Sequence, residues 1–172
     1  MISLLTFPGV IVHEMGHQLF CRILKIAVFD VCYFQVENPA GYVSHEIPNK
    51  EYKHLLITIA PFFFNSIVGA LIAFPAAIQV FLIESGGFFD YFLIWLGVSI
   101  AMHAFPSTGD AASLWDVVNS SKTSLIFRLL GTPVVGLIYL GAMGSVLWLD
   151  LLYGIAVASF LPRLIVSFFA FL

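Results

Sequence analysis

An apolar run from about Ile2 to Phe20 is interrupted by His13-Glu14-Met15-Gly16-His17, the pattern H-E-x-x-H. A polar group buried without a hydrogen-bond partner is costly, so two imidazoles and a carboxylate here must be met by groups from elsewhere in the chain. At i and i+4 on a helix the two rings lie one turn apart on one face, as two nitrogen ligands of a single tetrahedral zinc require. Glu14, next to the first ring, stands where it can act as general base on a water at the metal. The fold must therefore bring a further ligand to this face.

The surroundings of that motif are those of a bilayer protein. Of 172 residues, 60% are hydrophobic and only 10% are charged, which places the chain among integral membrane proteins. Seven Lys and Arg against ten Asp and Glu give a net charge of -3, so there is no basic field for nucleic acid. The first apolar segment lacks a charged start and a small-residue cleavage site, and is expected to be a membrane helix, about Ile2 to Ile26, rather than a signal peptide. Further spans are expected over Leu55 to Ile83, Phe88 to Phe105, Ile126 to Leu147 and Leu151 to Leu172. Between the first two, Val28 to Val36 and Tyr42 to Ile47 alternate as strands around the turn residues Asn38-Pro39-Ala40-Gly41. The expected fold is an all-α polytopic membrane protein of about five transmembrane helices, with a small β-hairpin after the first, forming a single domain over 1–172. Arg22, Lys25, Lys50, Lys53, Lys122 and Arg128 cluster in two connections, which places those connections in the cytoplasm and the N-terminus outside. Arg163 falls mid-segment and does not fit that pattern.

A catalytic zinc on His13 and His17 needs a third protein ligand and an open position. Asp110 follows the break Pro106-Ser107-Thr108-Gly109 at the end of the third span, which the topology returns to the leaflet of His17, and it is the third ligand expected. Local sequence equally allows Asp110 to be a helix N-cap before Ala111-Ala112-Ser113-Leu114. Cys21, at i+8 from His13, is conceivable as a thiolate ligand, but three ligands on one straight helix hardly converge on one ion. His103 reads either as a supporting group near the site or as a hydrogen-bonded bundle histidine, and Asn65 either as a helix–helix bond or as a group orienting a peptide carbonyl. His45 and His54 are expected to be interfacial and solvated. Asn119-Ser120-Ser121 fits the glycosylation pattern, but its cytoplasmic placement deprives it of meaning.

These residues resemble a known family. His13-Glu14-Met15-Gly16-His17 in the first helix, Gly41-Tyr42-Val43 soon after, Ala60-Pro61 followed by Asn65, and Asp110 beyond a proline look like the site-2 protease family of intramembrane zinc metalloproteases, over roughly positions 9 to 116. The resemblance implies a zinc held by His13, His17 and Asp110, with Glu14 as the catalytic base. It also implies that Gly41, Tyr42 and Val43 lie on a strand pairing with an extended substrate, that Asn65 contacts substrate, and that the substrate is a transmembrane helix that must unwind. The family's Gly-Pro-x-x-Asn appears here as Ala60-Pro61 with Asn65 one residue later, and its Asp-Gly as Asp110-Ala111. A PDZ or CBS module has no room in this length, so a minimal or divergent member is expected. The function expected is zinc-dependent hydrolysis of peptide bonds in or near transmembrane segments. Alternatives are an inactive metal-binding membrane protein serving assembly, a peptidase acting on soluble peptides at the interface, and, least favoured, a zinc transporter.

Overall fold

The computed structural model describes residues 2–170. The elements in order are α1 (Ile2–Leu5), α2 (Phe7–Ile23), β1 (Val28–Cys32), β2 (Tyr42–His45), α3 (Glu51–Phe81), α4 (Phe88–Met102), α5 (Thr108–Asn119) and α6 (Leu125–Gly144). A 3-10 turn, α7 (Leu149–Ile155), a π-helical turn and α8 (Leu161–Ala170) complete the chain. The structure is mostly helical with one two-stranded antiparallel sheet.

Among the described residues, three helices are long and apolar enough to cross a membrane: Glu51–Phe81, Leu125–Leu147 and Leu149–Phe168. The first and third expected spans are shorter than that. Pro8 restarts the chain as α2, of 17 residues, and α4 stops after 15. Residues 171–172 of the last expected span lie outside the described ones.

α4 and α5 share one line through the bundle. Asn65 of α3 meets the carbonyls of Ile100 and His103, whereas His54, three turns earlier on α3, meets Ser113. Descending α3 thus corresponds to leaving α5 and entering α4, with a break at His103–Ser107 between them. A helix end inside the bundle leaves carbonyls without ladder partners, and protein groups must satisfy them. The Asn65 amide does so, donating to Gly9, Ile100 and His103 at 3.0–3.2 Å while its side chain is fully buried.

Small residues let these helices approach. A Cβ on Gly69 would stand 2.8 Å from the Gly97 carbonyl, and one on Gly97 would stand 2.7 Å from the Gly69 carbonyl, so α3 and α4 cross backbone to backbone. α5 is fixed to α6 through the buried cluster Ala111, Leu114, Val118, Val135 and Ile138. The cations gather where α2 ends, α3 begins and α5 meets α6: Lys53 donates to Leu24 O at 2.8 Å and Arg128 to Ser120 O at 3.1 Å. Arg163, without a place in the sequence pattern, lies over the Phe81 ring at 4.5 Å, at the opposite end of α3.

The hairpin is shorter than its alternation suggests. β1 pairs with β2 from Val28↔His45 to Cys32↔Tyr42, and the ladder then stops. Gln35 turns back on the connection instead, its N–H donating to Ala40 O and its side chain to Pro39 O. Tyr33 donates to Gln18 Oε1 at 2.6 Å, tying this loop to α2 and laying Gly41 against Glu14.

Candidate metal centre

The site begins on α2, where His13 and His17 project from one face, each less than a tenth exposed. Both rings are held through Nδ1 by a backbone carbonyl: His13 by His103 O at 2.7 Å and His17 by Ile57 O at 2.9 Å. A carbonyl can only accept, so each Nδ1–H donates to it and each ring turns Nε2 toward the other ring and Asp110. Those two Nε2 atoms lie 3.2 Å apart.

Asp110 closes the set. Its oxygens stand 3.3 Å from His17 Nε2 and 3.7 Å from His13 Nε2. The backbone of α5 explains its aim. Ser107 is the N-cap and Asp110 is the N3 residue of a capping box: Ser107 Oγ accepts from Asp110 N–H at 3.1 Å, while Asp110 Oδ2 accepts from Ser107 N–H and Oγ–H, each at 2.7 Å. The N-cap role that the local sequence also allowed for Asp110 belongs to Ser107. Capping and facing the imidazoles are not alternatives, since one carboxylate does both.

Two imidazole nitrogens and a carboxylate this close need either a shared proton or a metal cation among them. His13, His17 and Asp110 form the one His/Cys/Asp/Glu group among the described residues that could hold a metal ion, their ligand atoms all within 4.8 Å of one another. Nitrogen and oxygen ligands at about 2.0–2.2 Å on tetrahedral angles lie about 3.3–3.6 Å apart. The separations of 3.2, 3.3 and 3.7 Å, the last two to different oxygens of Asp110, lie close to that spacing, so the three residues could hold a metal ion. Cys21 is fully buried and is outside the group, so the thiolate alternative finds no support in the geometry.

Glu14, 7% exposed, lines two cavities. One, of about 260 Å³, runs from His17 and Asp110 past β2 to His54, Thr58 and Ser113. The other, of about 440 Å³, lies on the His13 side among Val10, Met102, Phe105, Gly141 and Asp150. Tyr42, Val43 and His45 face the first cavity, and the edge of β2 away from β1 has no strand beside it among the described residues. Gly41 lies between the cavities. A Cβ there would come 2.8 Å from Glu14 Cγ, so this residue makes room for the glutamate. At the exposed end of the hairpin, Tyr42 donates to Asp30 Oδ2 at 2.7 Å, and that hydrogen bond to a carboxylate raises the phenol pKa above its ordinary value.

The remaining expectations sort by position. Asn65 is not among the residues lining either cavity; its amide is spent on the three carbonyls described above. His103 supports the centre through its carbonyl on His13, while its ring bonds to Ser99 O at 3.0 Å. His54, expected to be solvated, is 3% exposed: its Nε2 meets Ser113 Oγ at 3.0 Å and its Nδ1 has no hydrogen-bond partner. Its position three residues before Ile57 on α3 is the signal that could have found it. Ser107 was also missed as a site residue, although Ser at N-cap three positions before an acidic residue is a readable capping box.

No protein-family model matches this sequence, and no curated protein or solved structure matches it significantly.

Proposed function

We propose that the chain is an intramembrane zinc metallopeptidase that hydrolyses peptide bonds in or near transmembrane segments. The observation that carries this reading is the convergence of His13, His17 and Asp110 from two separate helices, with Glu14 beside them at the meeting of two cavities. Both imidazoles present Nε2, and the donor set of two nitrogens and a carboxylate suits zinc with a position left open, as catalytic rather than structural sites require. Zinc bound there supplies Lewis acidity toward a peptide carbonyl and a water molecule made more acidic. Glu14 accepts the proton of the attacking water and returns it to the leaving amine. A site with no chemistry to perform has no need of a carboxylate at that position.

The surroundings favour a chain drawn from the bilayer. The free edge of β2 can pair with an extended polypeptide through backbone hydrogen bonds, which recognises backbone rather than sequence. On the other side of Glu14 the cavity wall is mixed, Val10, Met102 and Phe105 standing with Thr108, Ser145 and Asp150, so an apolar side chain and a polar backbone both find partners there. Ile57, which holds His17, is about 9 Å along α3 from Glu51, so water has a short path from the cation-rich end. The positive-inside rule makes that end cytoplasmic. This follows the resemblance to site-2 proteases and extends it to five crossings, with α1–α2 and α4–α5 as broken spans.

The test compares wild type with Glu14→Gln, purified in detergent and incubated with single-span substrates, with bound zinc measured in parallel. The reading expects zinc in both and cleavage by wild type alone. Equal cleavage by both, or none by zinc-loaded wild type across a broad substrate panel, would falsify it.

A further inference from the structure

The carbonyl that holds His17 belongs to Ile57, in the middle of α3. In an unbroken α-helix such a carbonyl is already engaged, because the N–H four residues later donates to it. Four residues after Ile57 is Pro61, which has no N–H. The ladder bond is therefore missing at the one carbonyl that accepts from a member of the metal-facing group on this helix.

We propose that Pro61 is a positioning residue for the metal centre: by withholding its own hydrogen bond it reserves the Ile57 carbonyl for His17 Nδ1–H, and so fixes which nitrogen of that ring faces the ion. This rests on the metal-centre reading given above. The neighbouring contacts agree. Gly16, adjacent to His17, brings α2 onto α3 at the proline itself, where a Cβ would lie 3.3 Å from Pro61 Cα. The backbone of Pro61 thus lies at the α2–α3 crossing, and the freed carbonyl one turn earlier meets the same partner helix. His13 is served by the same principle through a different device, since the His103 carbonyl is released where α4 ends. Each imidazole is gripped by a carbonyl that its own helix does not use.

A second proline in the same helix supplies the control. Pro75 likewise lacks an N–H and frees the carbonyl of Leu71, whose side chain is 67% exposed and which serves no imidazole. Pro61→Ala and Pro75→Ala each restore one ladder donor to α3, and Ala is the better helix former. The experiment titrates Zn²⁺ into metal-free wild type and both variants against a competing chelator, with thermal unfolding and ¹⁵N spectra of labelled histidines recorded alongside.

Loss of a group that orients a ligand histidine costs roughly 10- to 100-fold in metal affinity. Pro61→Ala is expected to weaken zinc by that factor at unchanged or higher melting temperature, with His17 turning toward a mixture of tautomers; Pro75→Ala is expected to bind as wild type does. Wild-type affinity in a folded Pro61→Ala, or equal losses in both variants, overturns the proposal. Should Pro61→Ala fail to fold, Pro61→Gly, which restores the same N–H without a Cβ at the crossing, is titrated in its place: weakened zinc supports the assignment and wild-type affinity overturns it. Failure of wild type to bind zinc at all would instead remove the metal-centre reading, an outcome separate from these.

Discussion

Substituting Gly41 with Ala isolates the contribution of Glu14 from that of the metal. The added Cβ would lie 2.8 Å from Glu14 Cγ, 3.0 Å from Tyr33 O and 3.1 Å from Cys32 O. Space alone excludes it, because none of the described glycines has a positive φ. Two of the three neighbours are backbone carbonyls, held by the Cys32↔Tyr42 pairing and by the Tyr33 hydroxyl on Gln18. The glutamate is the part able to move, and an ordinary carbon–carbon contact of about 3.5–4.0 Å asks it to retreat by roughly 0.7 Å or more. Misplacing a reacting group by about 1 Å can cost about 10²-fold. Gly41→Ala is therefore expected to lower kcat about 10- to 100-fold, or about 1.4–2.7 kcal/mol in the barrier, with KM and zinc content little changed. The assay is steady-state cleavage of a single-span substrate, with metal quantified on the same samples. Unchanged kcat with a raised KM would refute the reasoning, since it would show that Gly41 acts on the substrate and not through Glu14.

Ser107→Ala removes the 2.7 Å hydroxyl donor to Asp110 Oδ2 and the N-cap of α5 together. It is expected to weaken zinc by about 10-fold in chelator competition and to lower stability by about 1 kcal/mol in a thermal or denaturant titration. Asn65→Leu strips one amide from three buried carbonyls, and a loss of about 1–3 kcal/mol is expected from unfolding in mixed micelles. If Asn65 instead acts mainly on substrate, stability will hold and KM will rise.

The apolar runs and the H-E-x-x-H spacing were enough to show a mostly helical chain with span-like helices, a small hairpin and two imidazoles on one helix face, because helical periodicity acts locally along the chain, whereas α5, which carries Asp110, reads in the sequence only as a polar stretch. Other features are properties of pairs of elements. Nothing near His103 indicates that its carbonyl, and not its ring, will meet His13; that depends on α4 ending beside α2. His54 looks like one more surface histidine beside Lys53 until α5 is laid over it and Ser113 takes its Nε2. The strands end early for a similar reason, Gln35 being drawn back to Pro39 and Ala40 instead of across the ladder. Ala60-Pro61 was legible as a motif, but its consequence for the Ile57 carbonyl emerges only with α2 in place.

Zinc K-edge X-ray absorption on the purified, zinc-loaded protein measures the inner coordination directly. Two imidazole nitrogens with carboxylate or water oxygen at about 2.0–2.2 Å, lost on substituting either His17 or Asp110 by Ala, is the result expected of a centre built by α2 and α5. A sulfur shell near 2.3 Å, or a spectrum indifferent to Asp110, would contradict it.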